Sequence, residues 1–486
     1  MLRRTVEEPL IFERSAPGKE GYPVPEPAVG AETGLPPELV REDLPGFPEV
    51  SEFDVMQHFF RLSHLNYCIE DGLFPLGSCT MKYNPKVNEV VAATPGLAQS
   101  HPYLPDRAAQ GIRRVLFTLE RILCEITGLD AVTLQPAAGA HGEQTGIMLI
   151  KACQQARGED RPVVLIPDSA HGTNPSSAHI CNLKVETIGH TEGGGIDVAE
   201  LKERIGPDVA ALMLTNPSTL GVFEERIAEI AEALHAKGAM LYLDGANLNA
   251  FVGKASPARM GVDVLHMNLH KTFSTPHGGG GPGAGPVAVC RDLEPFLPVP
   301  RLEERDGLLR FTGERPQSIG RVRAFYGNVG MLIRATAYIL ANGPEGLREM
   351  AEVAVLNANY LRRKLEDVFH LPYDSPSLHE VVFSHKRQKA HGVTALDIAK
   401  RLMDYGFYPP TIYFPLIVDG ALMIEPTETA SREELDQFIE AMRAIARETE
   451  TDPELVKTAP HHAPLKRLDA TRANRHPVLR WTPPPE

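Results

Sequence analysis

One lysine and one aspartate are spaced in a way that suits the binding of an aldehyde cofactor. Lys271 follows His270 directly and precedes the glycine-rich stretch 278–286, while Asp244 ends the apolar run 240–244 about one βα unit earlier. A lysine can form a Schiff base with pyridoxal 5'-phosphate, and an aspartate can keep its pyridine nitrogen protonated, so that the ring accepts electrons. The pair therefore predicts an enzyme that acts on amino acids. The structural alternatives are a surface lysine and an aspartate that caps a helix.

Two further segments follow apolar runs and can face the same ligand. Residues 135–140 (QPAAGA) predict a turn into a helix, where small side chains let backbone N–H groups approach a phosphate. An ordinary tight turn is the alternative. In residues 169–175 (SAHGTNP), His171 can stack on a flat cofactor and help to orient a carboxylate. Alternatively, this segment only begins a helix, with Asn174 as its cap and Pro175 in the first helical position.

The surrounding pattern predicts an α/β fold. Apolar residues recur at helical spacing over 112–126 and end at Gly128, which is a natural helix C-cap. Apolar runs of strand length then alternate with helical stretches, the clearest of which is 223–237. The runs are 131–134, 163–167, 209–215, 240–244, 262–267 and 287–290. Such alternation indicates a buried, mostly parallel sheet, and ligands bind outside the carboxyl ends of the strands in such sheets.

The ends of the chain have a different character. Residues 1–50 are rich in Pro, Glu and Gly, which predicts an extended arm that wraps a partner. After a helix at 328–340, strand-like runs at 380–385 and 421–426 alternate with helices near 350–368, 394–405 and 431–447. We therefore expect an N-terminal arm with short helices (1–95), a large cofactor-binding domain (96–335) and a small α+β domain (336–486).

Composition narrows the possible partners and compartments. The 486 residues carry a formal net charge of −14, which disfavours nucleic acid and anionic membranes as partners. Six cysteines without a CxxC pair suit a reducing compartment, and no signal peptide or membrane span is evident, so we expect a cytoplasmic protein. No metal site is predicted, because the paired histidines at 461–462 lack further ligands at suitable spacing.

Several motifs together resemble a known family. They are QPAAGAHGEQ, SAHGTNPSSA, LTNPSTLG, LYLDGANLNA, LHKTFSTPHGGGGPGAGPV and MIEPTET. They closely resemble the P-protein of the glycine-cleavage system, and more narrowly the second subunit of its two-subunit form. The resemblance extends from GSCTMKYNP at 77–85 to the C-terminal region. It implies fold type I of the pyridoxal-phosphate enzymes, which is the aspartate-aminotransferase type.

The resemblance also implies roles for individual residues. Lys271 would bond to the cofactor, Asp244 would pair with the pyridine nitrogen, His171 would stack on the ring, and backbone N–H groups of Ala138 and Gly139 would hold the phosphate. Further residues would line the site, namely Thr215, Asn216, His270 and the segment 78–83. Many single-chain relatives have Asn-Ser where this chain has Ala137-Ala138, so a hydroxyl contact to the phosphate is absent here.

The implied reaction is decarboxylation of glycine, with transfer of the aminomethyl group to the lipoyl arm of the H-protein. Single-chain relatives are about twice as long, and this chain matches their lysine-bearing half, so the resemblance implies a separate subunit 1 in an α2β2 assembly. Two alternatives remain open at this point. One is a simple pyridoxal-dependent decarboxylase or lyase of the same fold, and the other is a non-catalytic scaffold subunit.

Overall fold

The computed structural model describes residues 8–26, 28, 34–41, 44, 46–277, 283–480 and 482. The chain divides into two compact units, Met1–Asp71 with Pro460–Glu486, and Gly72–Ala459. The glycine-rich stretch 278–286 is expected from its sequence to form a flexible loop beside the cofactor phosphate, and its residues 278–282 lie outside the described residues. No helix in the described ranges is long and apolar enough to cross a membrane.

A seven-stranded sheet lies at the centre of the larger unit. Its strands run in the order β1-β7-β6-β5-β4-β2-β3, and only β7 is antiparallel to its neighbours. The prediction of a mostly parallel sheet is therefore confirmed. The strands are β1 (Ala131–Thr133), β2 (Val163–Pro167), β3 (Lys184–Ile188), β4 (Val209–Thr215), β5 (Met240–Gly245), β6 (Val264–Met267) and β7 (Val287–Val289).

Helices cover both faces of this sheet, which explains its apolar strands. Residues of β4, β5 and β6 are almost completely buried, because each strand packs against helices on both sides. The helices before and between these strands are α1 (Glu52–Ser63), α2 (Lys86–Ala92), α3 (Pro95–Ala98), α4 (Gln110–Thr127), α5 (Gly139–Ala156), α6 (Thr173–Ile180), α7 (Val198–Arg204), α8 (Ile227–His235) and α9 (Leu269–Thr272). As predicted, α4 ends where Gly128 adopts a left-handed conformation with φ of 73°.

A second, antiparallel sheet lies in the C-terminal part of the larger unit. Its order is β10-β12-β11, and its buried face packs on helices around a separate apolar core that includes Phe369, Phe383 and Phe438. The remaining strands are β8 (Arg301–Arg305), β9 (Leu308–Thr312), β10 (Val381–Ser384), β11 (Thr411–Ile412) and β12 (Ala421–Ile424). The expected boundaries at residues 95 and 335 stay predictions.

The long helix α10 (Val329–Leu365) leads into this C-terminal part. Gly343 interrupts it with φ of 63° and Pro344 follows, which accounts for two helices being predicted in its place. The helices that follow are α11 (Lys386–Lys389), α12 (Ala395–Asp404), α13 (Arg432–Thr451), α14 (Pro453–Lys457) and α15 (Ala470–Arg475).

The smaller unit contains α1 and α15 and much irregular backbone. Ser51 caps α1 in a capping box with Asp54. Large apolar side chains of this helix are exposed in the single chain, among them Phe53, Met56 and Phe60. Clusters of exposed apolar side chains are typical of surfaces that bind another protein.

Candidate functional site

The carboxyl ends of three adjacent strands place three polar side chains side by side. In the parallel register, Asp244 of β5 lies opposite Thr215 of β4 on one side and His266 of β6 on the other. Directly opposed residues point to the same face of a sheet. Asp244 Oδ2 therefore comes within 3.5 Å of Thr215 Oγ1, and its Oδ1 lies 3.4 Å from His266 Nε2.

Two further donors complete the surroundings of Asp244. Asn174 Nδ2 donates to Asp244 Oδ2 at 2.9 Å, and the backbone N–H of Ala246 donates to Oδ1 at 3.0 Å. Both capping alternatives are therefore wrong. No helix follows Asp244 directly, and α6 begins at Thr173, one residue before Asn174, whose side chain points to the aspartate.

These neighbours keep Asp244 ionised although only 4% of it is exposed. Burial alone raises the pKa of a carboxyl group, but His266, Asn174, the Ala246 N–H and Lys271 outweigh this and lower the pKa of Asp244 below its usual value. His266 is itself held by Tyr242, whose hydroxyl lies 2.8 Å from its Nδ1. The strand end thus presents a fixed, negatively charged carboxylate.

Lys271 lies in α9, the short helix after β6. Asn268 precedes this helix, and its carbonyl accepts the backbone N–H of Lys271. The lysine is partly buried, and its amine makes no hydrogen bond or ion pair to any described residue. Its charge acts on three buried carboxyl groups, those of Asp244, Glu380 and Glu425. A primary amine surrounded by acids but bonded to none is available for a bond to a ligand.

The N-terminus of α5 lies against the same helix α9. A Cβ atom on Gly139 would come within 2.7 Å of Oδ1 of Asn268, the residue before α9, so this side chain would have to shift if Gly139 were replaced. The preceding turn is fixed by the Ala137 N–H, which donates to His141 Nδ1 at 3.1 Å. The first N–H groups of a helix have no intrahelical acceptor, and together with the helix dipole they favour an anion. The position of Ala138 and Gly139 thus suits a phosphate.

Other glycines and a neutral histidine border this helix end. A Cβ atom on Gly285 would come within 2.1 Å of the Ala138 carbonyl oxygen, and one on Gly283 within 2.9 Å of His270 Nδ1. Burial, followed by the charges of His277 and Lys271, lowers the pKa of His270 to about 3. His270 Nδ1 and Asn268 Oδ1 are buried, and neither has a hydrogen-bond partner among the residues that the structure describes. Both atoms therefore suit contact with a polar ligand.

His171 is positioned by a polar chain rather than by α6 alone. Its Nδ1 lies 2.8 Å from Thr173 Oγ1, which donates at 2.8 Å to the buried carboxylate of Glu143. The imidazole ring meets Phe414 edge-on at 5.4 Å between centroids. Asn216, also expected in the site, accepts the Glu224 N–H, while its buried Nδ2 has no hydrogen-bond partner in the described part of the chain.

The segment 78–83, which was expected to line the site, is held near Lys271 by partners that the sequence did not single out, namely Glu380, Glu425 and Thr272. Ser78 and Thr80 bind Glu380 and Glu425, while Lys82 donates to the carbonyl oxygen of Thr272 at 2.8 Å. Further residues missed from sequence are Glu143, His266, Asn268 and Glu428. Several of these residues belong to the motifs quoted above. Their presence in a motif did not show which of them contact the site and which only pack in the core.

The chain is similar to known proteins both in sequence and in fold. Residues 350–467 match the family model for the C-terminal domain of glycine dehydrogenase, and residues 144–281 match that for class-V aminotransferases. A Shouchella clausii protein, "Probable glycine dehydrogenase (decarboxylating) subunit 2", is 55% identical over 97% of each chain. A Caldanaerobacter subterraneus protein of the same name is 54% identical over 97% of this chain and 98% of its own.

Solved structures share the fold at low identity. A glycine decarboxylase (P-protein) of the glycine cleavage system, in inhibitor-bound form, superposes with a TM-score of 0.68 at 21% identity, over 84% of this chain and 92% of that one. A Lactobacillus brevis glutamate decarboxylase gives a TM-score of 0.64 at 14% identity, over 87% of this chain and 97% of that one. These two likenesses show the fold, which is that of fold type I.

Proposed function

The chain belongs to the glycine dehydrogenase (decarboxylating) subunit 2 family, and we propose that it catalyses pyridoxal-phosphate-dependent decarboxylation of glycine. The aminomethyl group that remains would pass to the lipoyl arm of the H-protein. The observation that carries this proposal is the pairing of Lys271, whose amine is unbonded, with Asp244, whose buried carboxylate stays charged. A simple packing role would not require either feature.

The residues present fit pyridoxal phosphate at three separate points. The free amine of Lys271 suits the aldehyde carbon, and the ionised Asp244 suits a protonated pyridine nitrogen. The glycine-bounded N-terminus of α5, at Ala138 and Gly139, suits the phosphate. The unpartnered buried atoms Asn268 Oδ1 and His270 Nδ1 border this end of the site, as expected where a polar ligand binds.

When bound, pyridoxal phosphate supplies an electron sink for the pair of electrons that remains on the α-carbon as CO2 leaves. Asp244 holds a proton at the pyridine nitrogen, because its fixed negative charge stabilises the protonated form. His171 would hold the ring from one face, while Glu143 and Thr173 keep the imidazole oriented. Lys271 would yield its position to the amine of glycine and return after the reaction.

The remaining residues would shape the site around these groups. Thr215 orients Asp244 from the neighbouring strand, and His270, kept neutral by burial, adds no charge beside the phosphate. Asn216 offers its unpartnered Nδ2 as a donor to a ligand. Neutral hydrogen-bond donors can orient an anionic ligand. They do so without adding a buried charge, which would need a partner of its own.

Two protein partners are part of this proposal. The relatives are named as subunit 2, which supports a subunit 1, and we propose an α2β2 heterotetramer. The exposed apolar side chains of α1, such as Phe53 and Phe60, suit such a contact. The lipoylated H-protein is the proposed acceptor. The six unpaired cysteines support a cytoplasmic location.

Exchange of labelled bicarbonate into the carboxyl group of glycine tests the function. The chain is assayed alone, then with subunit 1, and then with lipoylated H-protein as well. We expect full exchange only in the complete mixture. If the complete mixture gives no exchange, while the cofactor is bound and another amino acid is decarboxylated, the chain is a simple decarboxylase of the same fold.

A further inference from the structure

Two buried glutamates lie beside Lys271 and have no role in the mechanism described so far. Glu380 is 3% exposed and Glu425 is fully buried. A ligand atom of each, together with one of His379, lies within 4.8 Å of the others. Among the residues that the structure describes, no lysine or arginine forms an ion pair with either glutamate. The charge of Lys271 acts on both carboxyl groups.

Two carboxyl groups this close and this deeply buried do not both ionise, because the charges repel each other and water cannot screen them. Burial, with the neighbouring Glu425, raises the pKa of Glu380 well above its usual value. Burial also raises the pKa of Glu425. The other groups facing the pair stay neutral, since burial lowers the pKa of His379 to about 3 and raises that of the Cys79 thiol. Hydrogen bonds from Thr80 and Asn247 and the charge of Lys271 favour the ionised form of Glu425. We therefore expect the pair to hold one proton at neutral pH.

A strained loop fixes the two carboxyl groups in place. The Ser78 N–H donates to Glu380 at 3.0 Å, and Thr80 donates to Glu425 from its N–H at 3.0 Å and its hydroxyl at 2.8 Å. Ser78 and Thr80 have φ of 66° and 53°, in the left-handed region that non-glycine residues rarely adopt. Such conformations cost free energy and persist where function or tertiary contacts require them.

We propose that Glu380 and Glu425 act together as the acid–base group that carries a proton between the incoming amine and Lys271. This inference rests on the proposed function, since glycine must displace the lysine. The ionised carboxylate of the pair takes a proton from the ammonium group of glycine, which leaves a free amine and a pair with two protons. The pair then gives one proton to Lys271 as its nitrogen is released, and it returns to its singly charged state.

Infrared spectroscopy of the holoenzyme tests the shared proton directly. The measurement is made above pH 7, because burial raises the pKa of Glu120, another buried carboxyl group, to about 7. We expect the C=O band of a protonated carboxyl group in the wild type and in the control Glu120→Gln. The band should vanish in both Glu380→Gln and Glu425→Gln, since a single remaining glutamate ionises beside Lys271. A wild type without the band, or a band that persists in both variants, would overturn the proposal.

Kinetics test the transfer itself. The absorbance change on mixing with glycine should slow by about 10²-fold in Glu380→Gln and Glu425→Gln, the usual range for loss of an acid–base group. The deficit should narrow as pH rises, because more glycine then arrives as the free amine. A deficit equal at every pH, or none, contradicts the proposal. The wild type could show the infrared band but no glycine exchange. That result would contradict the proposed function and leave the shared proton of Glu380 and Glu425 intact.

Discussion

Asn174 donates its side-chain amide to Asp244 at 2.9 Å between Nδ2 and Oδ2, although 70 residues separate them in the chain. The contact joins the first turn of α6 to the end of β5, and both residues are buried. Since His171 lies just before α6, this hydrogen bond also fixes the distance between the histidine and the aspartate. One face of the proposed ring site, at His171, and one edge, at Asp244, are thereby linked by a single interaction.

Replacing Asn174 by Ala should move the acidic limb of glycine exchange to higher pH. The amide stabilises the ionised form of Asp244, and a hydrogen bond to a charged group contributes about 1.5–3 kcal/mol, which corresponds to about one to two pKa units. Activity that needs the carboxylate is lost as pH falls through its pKa, so a raised pKa means earlier loss. Ser176→Ala is the matched control, because Ser176 lies on the same helix and its hydroxyl donates to the Gly172 carbonyl, away from Asp244. An unchanged profile in Asn174→Ala would contradict this role.

Replacing Gly285 by Ala should weaken cofactor binding at least tenfold. Its Cβ would lie 2.1 Å from the carbonyl oxygen of Ala138, so the N-terminus of α5 must shift. Gly111→Ala in α4 is the control, since nothing lies within 4 Å of its Cβ position, and alanine favours a helix over glycine. Equilibrium dialysis with pyridoxal phosphate measures the cofactor affinity of both variants. Equal affinities in the two variants would show that the α5 terminus does not hold the phosphate.

Lys82 and Glu428 form a buried ion pair at 2.8 Å that ties the segment 78–83 to the turn after β12. The lysine also holds the Thr272 carbonyl, next to Lys271. Lys82→Met leaves Glu428 without its cation, which typically costs about 3–5 kcal/mol of unfolding free energy. We expect a markedly lower urea midpoint in Lys82→Met, and a partial recovery of the midpoint in the double variant Lys82→Met/Glu428→Gln. If the stability losses of the two single variants simply add in the double variant, the two side chains are not coupled.

Glu120→Gln should reduce the dependence of stability on pH. Burial raises the pKa of Glu120 from 4.5 to about 7, despite Arg301 and the hydrogen bond from Tyr326. The folded protein thus binds the proton more tightly than the unfolded chain, so stability is full below pH 4.5 and falls as pH rises to 7, by on the order of 3 kcal/mol. Gln keeps an acceptor for Tyr326 and does not titrate. Urea midpoints across this interval should fall less in the variant than in the wild type, and parallel curves would contradict this assignment.

Much of the sheet could be predicted because buried parallel strands are continuous apolar runs. β2 and β4 have the predicted bounds, and β5 differs by one residue. The edge strand β3 was missed because it is largely exposed and carries Lys184 and Glu186. The hairpin of β8 and β9 was also missed, although Asp306-Gly307, with φ of 53° and 70°, is a typical hairpin turn.

The candidate site was only partly predictable for a related reason. Asp244 and Lys271 follow strands in the sequence, so topology alone indicates that they share one edge of the sheet. Glu380 and Glu425, by contrast, come from the C-terminal part and reach Lys271 only through tertiary packing. His266 lies inside a strand, so its sequence context indicates a core residue. Only the register of β5 and β6 shows that it lies beside Asp244. Local pattern cannot supply such long-range neighbours.

Borohydride reduction followed by peptide mapping is the most direct test that Lys271 carries the cofactor. The chain, with its partner subunit and pyridoxal phosphate, is reduced and digested, and the modified peptide is identified by mass spectrometry. We predict a single pyridoxyl group on the peptide that contains Lys271, and none in Lys271→Ala. A cofactor fixed to another lysine, or an equally labelled Lys271→Ala chain, would contradict the assignment of this site.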